Sequence, residues 1–275
     1  GATVSINGKN QQSNPNGIVH FEVKNNATNT VTVHHLGYYE KKVSLAKNTT
    51  SLTVQLLESS IHADEIFVYA TRANENSGTT FKNLTKEDIK KNNLGQDIPY
   101  LLDQTPGIVV GSDAGAGIGY TNMTIRGSNG QRINVTLNGI PLNDAESMGS
   151  FFVNLPDFAS STESIQIQRG IGTSTNGSGA FGGSINIQSE TLARDSYAEI
   201  NNSFGSYNTW KNTFKVGSGL INDKFAFNAR LSRISTDGYI DRATADLKSF
   251  YVDAGYYGLK HQLKATIFSG KEKTY

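Results

Sequence analysis

The stretch Ile165-Gln166-Ile167-Gln168-Arg169-Gly170, followed by Gly177-Ser178-Gly179-Ala180-Phe181-Gly182-Gly183-Ser184-Ile185-Asn186-Ile187, decides the fold. Alternation of Ile with polar residues is the period-two signature of a strand, so Ile165 to Arg169 and Ser184 to Ile187 read as strands joined by a glycine-rich connection. The glycines match the Gly-x-Gly-x-x-Gly pattern of dinucleotide sites. A phosphate site needs a helix N-terminus directly after them, and a strand pattern stands there instead, so the match is set aside as accidental.

Upstream, Met123 to Arg126 and Ile133 to Asn138 read as further strands, and Thr105-Pro106-Gly107 turns the chain into Ile108-Val109-Val110. Between Thr85 and Gln104 lies the one convincing helical stretch. Thr85 with Asp88 three residues on forms a capping box, Gly95 is a stop, and Ile98, Leu101 and Leu102 line one face of a second short helix. These elements make an α+β unit over residues 73–190. From residue 191 the character changes. In Phe225-Ala226-Phe227-Asn228-Ala229-Arg230-Leu231-Ser232 one face carries Phe, Phe, Ala and Leu and the other Ala, Asn, Arg and Ser. Leu263/Ala265/Ile267 against Gln262/Lys264/Thr266 repeats the theme. An antiparallel sheet with one watery face explains this alternation, and so does a barrel with lipid outside and water inside. Phe204, Tyr207, Tyr239 and Tyr257 suit an interfacial aromatic girdle.

Residues 1–58 read as a small β-sandwich, with short alternating runs at Val4/Ile6, Phe21/Val23, Val31/Val33, Val43/Leu45 and Leu52/Val54/Leu56. Residues 59–72 form a linker holding the β-prone run Asp64-Glu65-Ile66-Phe67-Val68-Tyr69-Ala70-Thr71. Such a run can serve as an edge strand, or can add itself to the open sheet edge of another protein.

Composition supports a mainly β chain: 28 Gly, 27 Asn, 26 Ser and 25 Thr among 275 residues favour turns, caps and strands over helix interiors. The formal charge of +1 gives no general pull toward nucleic acid. Cys is 0, which removes disulfides, thiolate nucleophiles and Cys-based zinc sites. His34 and His35 point to opposite faces of one strand and do not share a metal. With no nucleophile elbow, Walker loop or His-Glu-x-x-His motif, the sequence offers no catalytic residue, metal ligand or cofactor site, and an enzyme reading has no constellation to stand on.

Five ordered blocks carry a resemblance: Leu101-Leu102-Asp103-Gln104-Thr105-Pro106-Gly107-Ile108, Ile125-Arg126-Gly127, Leu137-Asn138-Gly139-Ile140-Pro141-Leu142, Ile165 to Gly170, and Gly177 to Ile187. Together they resemble the plug of TonB-dependent outer-membrane receptors. Asn16 to Phe21 with Val31 to Tyr38 resembles a carboxypeptidase regulatory-like domain, an extension common in receptors of the Bacteroidetes group. The resemblance implies a β-sandwich, an α+β plug over 73–190 and the first strands of a transmembrane β-barrel over 191–275. It implies that Asp64, Glu65, Ile66, Phe67, Val68, Tyr69 and Ala70 are the TonB box, bound by TonB of the inner-membrane ExbB/ExbD complex. It also implies that Arg126 and Arg169 pair with barrel carboxylates, and that Asp113 to Tyr120 and Asn143-Asp144 to Phe151 face a small-molecule ligand. The N-terminal domain and TonB box would stand in the periplasm and the barrel in outer-membrane lipid. The implied activity is import of a scarce nutrient, a ferric siderophore or haem, with cobalamin, a glycan, or surface signalling as alternatives. Residues 191–275 suffice for roughly five strands of a wall of about 22, so the sequence reads as a truncated piece. From another class, a soluble β-rich adhesin would use residues 196 onward as sandwich strands.

Overall fold

The computed structural model describes residues 1–23, 29–35, 38–57, 72–171, 176–177, 179–190, 193, 195–222, 224–258 and 261–274. The chain forms two compact units. One is built on Gly1–Ala63 and the other holds Asp64–Ile221, Phe225–Gly255 and Lys264–Tyr275.

In the first unit β1 (Thr3–Ile6), β2 (Lys9–Gln12), β3 (Asn29–His34) and β4 (Lys41–Leu45) form one antiparallel sheet in the order β2-β1-β3-β4. Val4, Ile6, Val31 and Val33 alternate inward, and Val19, Phe21, Leu45, Val54 and Leu56 cover them. Among the described residues Phe21/Val23 and Leu52 to Leu56 join no ladder, whereas Lys9–Gln12, whose side chains are all polar and exposed, does. Periodicity of apolar side chains reports burial, and a ladder can form without it.

The second unit holds a five-stranded sheet in the order β5-β10-β11-β8-β9, made of β5 (Thr80–Leu84), β8 (Ile133–Leu137), β9 (Ile140–Pro141), β10 (Thr162–Arg169) and β11 (Gly183–Ser189). β10 runs antiparallel to β5 and β11, and β11 is parallel to β8. β6 (Ile108–Ser112) and β7 (Thr121–Ile125) form a separate ribbon. Asn138 and Gly139, with φ of 51° and 81°, close the β8–β9 hairpin as a type I′ turn, which needs two left-handed residues. α1 (Lys86–Asn92) starts at the capping box in which Thr85 and Asp88 exchange side-chain and backbone bonds, and α2 (Ile98–Leu101) follows.

The isoleucines of β10 and β11 point into one core with Leu102, Ile125, Ile133 and Phe158. The opposite face, carrying Gln166, Gln168, Ser184 and Asn186, is buried as well. It is covered because Gln166 clasps Ala73 by both backbone groups, at 2.7 and 2.9 Å, and bonds Asn83, while Thr136 donates to Asn186. These bonds offset the desolvation of Gln166 and of the Asn186 side-chain carbonyl, while the Asn186 Nδ2 and the Ser184 hydroxyl stay buried without a hydrogen-bond partner among the described residues.

β12 (Tyr197–Gly205), β13 (Thr209–Gly217), β14 (Phe225–Thr236), β15 (Ala245–Tyr257) and β16 (Gln262–Thr274) follow as one antiparallel up-and-down sheet in sequence order, the wall. Among the described residues no helix is long and apolar enough to cross a membrane, which says nothing of strands.

Ile167 is fully buried at the centre of the five-stranded sheet. Ile167→Ala should therefore destabilise this unit by about 2–5 kcal/mol, the cost of lost burial plus a cavity. Hydrogen exchange over β10 and β11 reads the change as reduced protection.

Candidate functional site: the seam between plug and wall

The wall sorts its side chains by face. Lys211, Thr213, Lys215, Arg230, Ser232, Leu247 and Tyr251 are buried, while Ile200, Phe204, Phe214, Phe227, Leu231 and Ile267 are exposed. An exposed apolar face over a polar inner one is inverted from a soluble sheet and matches a wall with hydrocarbon outside. Of the two arrangements that alternation allows, the strands show the one with the apolar face outward.

The inner face meets the loop Leu155 to Phe158 and the elements around it. Asp157 sits in the left-handed region at φ 51° with its side chain 1% exposed. The Lys211 ammonium lies 2.9 Å from its Oδ1 and the Arg230 guanidinium 3.3 Å from its Oδ2. Thr213 and Ser160 each donate a hydroxyl at 2.6 Å, Ser232 donates another, and Arg230 also reaches the Asp157 carbonyl. Burial acts to raise the Asp157 carboxyl, but the Lys211 ammonium and the Arg230 guanidinium outweigh it and hold the group well below the usual carboxylate range. On one side of this carboxylate Pro156 rests against Gly270, where a Cβ would stand 2.7 Å from the proline ring, and accepts a 2.8 Å bond from Ser249. On the other, Phe158 makes edge contacts with Tyr251 and Phe268, at 5.8 and 5.2 Å between ring centres. Three consecutive residues thus dock by close approach, charge and aromatic packing.

A second ion cluster repeats the polarity. Glu190, just past β11, pairs with Lys215 at 2.5 Å and with Lys86 of α1 at 3.1 Å, and Lys86 also pairs with Glu163. At the end of the wall that carries residues 206–208 and 237–244, Ile118 packs with Ile234, Ala245 and Leu247. Asp97 lies near this end and accepts a 2.8 Å bond from Thr121. Burial pushes its carboxyl up to about 7 against the Thr121 hydroxyl, with Glu272 of β16 adding to the rise.

The sequence-derived residues fall as follows. Asp64 to Ala70, the expected TonB box, lies outside the described residues. Arg72, two residues after it, bonds Ser164 of β10 and the Asn186 carbonyl of β11. Arg126 and Arg169 come together: Arg169 donates to the Pro106 carbonyl at 2.8 Å, and the Arg126 guanidinium stands 2.9 Å from where a Cβ on neighbouring Gly170 would be. Among the described residues neither forms an ion pair; the ion pairs onto the wall there run from Asp157 to Lys211 and Arg230, from Glu190 to Lys215, and from Lys90 to Glu199. Asp113 is exposed, and Tyr120 and Phe151 are half-exposed. Asn143 spends its amide on Val135, Ile133 and Met148, bracing the loop from within. Asp144 caps a turn through Ser147 and Glu146, and the Ser147 amide and hydroxyl, followed by the Glu146 amide, hold its carboxyl low. Among the described residues no group of three or more metal-ligating side chains occurs. Sequence reasoning missed Asp157 and Glu190; its one usable signal was the polar face of β14 that carries Arg230.

Residues 73–184 match the family described as TonB-dependent Receptor Plug Domain. Over longer stretches the chain is similar to TonB-dependent outer-membrane receptors. It is 26% identical over 183 residues to the vitamin B12 transporter BtuB of Vibrio vulnificus, which covers 64% of this chain and 28% of that protein. The BtuB of Vibrio cholerae is 25% identical over 237 residues, 81% of this chain and 38% of its own length. The chain thus spans about a third of the length of these curated relatives. Its fold is that of the siderophore receptor PirA from Acinetobacter baumannii, with TM-score 0.56, 20% identity and coverage of 70% of this chain and 32% of that one. It is likewise that of the unliganded ferric citrate transporter FecA, with TM-score 0.60, 19% identity and coverage of 72% and 32%. The matched proteins are transporters and receptors of the outer membrane.

Asp157→Asn leaves two buried cations without their counter-charge and should destabilise the plug against the wall by about 3–5 kcal/mol. Replacing Asp157, Lys211 and Arg230 together by apolar residues of similar volume should recover most of that loss, as read by denaturant-dependent exchange or proteolysis of the plug. Two opposed pH responses follow. Asp97 holds its proton more tightly folded than unfolded, so its contribution is complete below about pH 4 and is lost as pH rises through about 7. Asp157 contributes above about pH 4 and loses its contribution only as pH falls through its depressed native value. In a pH series of plug stability, Asp97→Asn should remove the loss between pH 4 and 7 and leave the acid limb in place.

Proposed function

We propose that the protein is an outer-membrane importer that takes up a scarce nutrient, a ferric siderophore or haem, with energy delivered by TonB and its inner-membrane ExbB/ExbD partners. The observation that carries this reading is the seam itself: a plug domain wedged by buried charge against strands whose outer face is apolar. A barrel of about 22 strands is an open hole unless filled, and a filler that must move is best held by polar contacts that water can replace. A soluble adhesin would present the opposite arrangement of faces.

In this account Asp64 to Ala70 is the TonB box, and residues 1–58 are a carboxypeptidase regulatory-like domain of the Bacteroidetes receptor type in the periplasm. A strand added to TonB by backbone hydrogen bonds transmits a pull. That pull arrives at Arg72 and Ala73, which are fastened to β10 and β11 through Ser164, Gln166 and Asn186, so the central strands of the plug receive it first. Arg126 and Arg169, brought side by side, await carboxylates from further wall strands. Asp113 to Tyr120 and Asn143 to Phe151 meet the cargo, with Tyr120 and Phe151 as its apolar contacts. A second cargo, cobalamin, is favoured by one observation, the similarity to the two vitamin B12 transporters.

A peptide spanning Ala63 to Thr71 should bind a TonB C-terminal domain in titration calorimetry, and Val68→Pro, which removes a ladder donor, should abolish binding. No heat at high micromolar peptide would contradict the assigned box. Titrating the full-length receptor with a ferric siderophore, haemin and cyanocobalamin in parallel separates the cargoes. Gln166→Ala should lower TonB-dependent uptake while leaving cargo affinity unchanged.

A further inference from the structure

The outward face of the wall is apolar except in one place. Cross-strand register sets Ile200, Phe214 and Leu231 opposite one another as a belt, and two residues further along each strand Asn202, Asn212 and Arg233 form a polar row. Beyond Arg233 the row continues onto β15 with Asp246 and Lys248 and onto β16 with Lys271 and Lys273, the lysines exposed. Asp246 holds Arg233 by two bonds, Nε at 2.9 Å and Nη2 at 3.3 Å, and Lys248 stands 3.8 Å away, yet Arg233 and Lys248 each keep 57% of the side chain exposed. Four cations therefore face one carboxylate, the only one on the outward face of these strands among the described residues. Belt and row line a single shallow groove of about 640 Å³ in which Phe214, Leu231 and Phe250 adjoin Arg233, Lys248 and Lys271.

Resting on the outer-membrane reading above, we propose that this groove is a binding site for a phosphorylated, multiply acylated glycolipid of the outer leaflet. Cations on a lipid-facing wall are unfavourable unless an anion satisfies them. Guanidinium and ammonium groups match phosphate oxygens. The belt lies about 7 Å along the strands from the row, two residues at about 3.3 Å each, the offset between a charged headgroup and the start of its acyl chains. A free phosphate would leave the belt uncovered. A single-phosphate lipid would leave part of the charge unmatched, since the cations spread over three strands, about 10 Å across. Two phosphates on a sugar backbone cover that width, and the Asn202 and Asn212 amides supply hydrogen bonds to sugar hydroxyls.

The test uses full-length receptor purified from outer membranes, delipidated in detergent and titrated with hexa-acylated, bis-phosphorylated lipid A under native mass spectrometry. The combined variant Arg233→Gln, Lys248→Gln, Lys271→Gln should bind at least ten-fold more weakly, and wild-type protein should lose a similar factor toward dephosphorylated lipid A. Arg233→Lys should restore part of the affinity, and Lys9→Gln, on the first unit, should change nothing. The site is overturned if the triple variant binds as wild type, if phosphatidylglycerol binds as tightly as lipid A, or if millimolar inorganic phosphate displaces the lipid fully. Heat-modifiable migration and cargo uptake are followed in the same preparations. A receptor that imports normally but shows no charge-dependent lipid A binding sinks the site alone, whereas one absent from the outer membrane sinks the importer reading and the site with it.

Discussion

A single buried carboxylate, Asp157, is the constraint on which the second unit depends. Neither it nor Lys211 and Arg230 could be taken from water alone, and together they satisfy one another in one relative placement of plug and wall. Such a cluster adds little net stability over an apolar equivalent. Its contribution here is register: the carboxylate fixes where Pro156 meets Gly270 and where Phe158 enters between Tyr251 and Phe268. With the left-handed backbone at Asp157, its carboxylate meets β13 and β14 while Pro156 and Phe158 on either side meet β15 and β16.

The same preference for polar burial runs through the plug sheet. β10 and β11 present isoleucine to one side and amides and hydroxyls to the other, so the segment following residue 71 is held by hydrogen bonds rather than by packing. Hydrogen bonds can be exchanged for water one at a time, whereas an apolar contact must be opened as a whole. A plug assembled this way is ordered at rest and yields along a defined line when its leading segment is drawn away.

Local features were legible in the sequence because their causes are local. Thr85 with Asp88 specifies a helix start within four residues, and the Ile/Gln alternation of β10 specifies a strand. That alternation does not tell what covers the glutamines. They are buried, because the chain around Ala73 and Asn83 folds over them, and no period in the sequence encodes that cover. Asp157 was invisible for a related reason. It stands in a non-periodic loop, and its partner Thr213 is 56 residues further on. The basic row of the outward face was hidden in plain residues: Arg233, Lys248 and Lys271 are ordinary in sequence and become a patch only when three strands align.

Residues 1–275 contain no Cys, so an introduced pair is the one disulfide that can form within them. Gly270 and Pro156 lie within the Cβ spacing that a disulfide spans. Full-length receptor carrying Pro156→Cys and Gly270→Cys should bind cargo but fail to import it when oxidised, and should regain TonB-dependent uptake on reduction. Uptake by the oxidised receptor at the wild-type rate would show that the plug need not leave the wall at Asp157, and the account would be wrong.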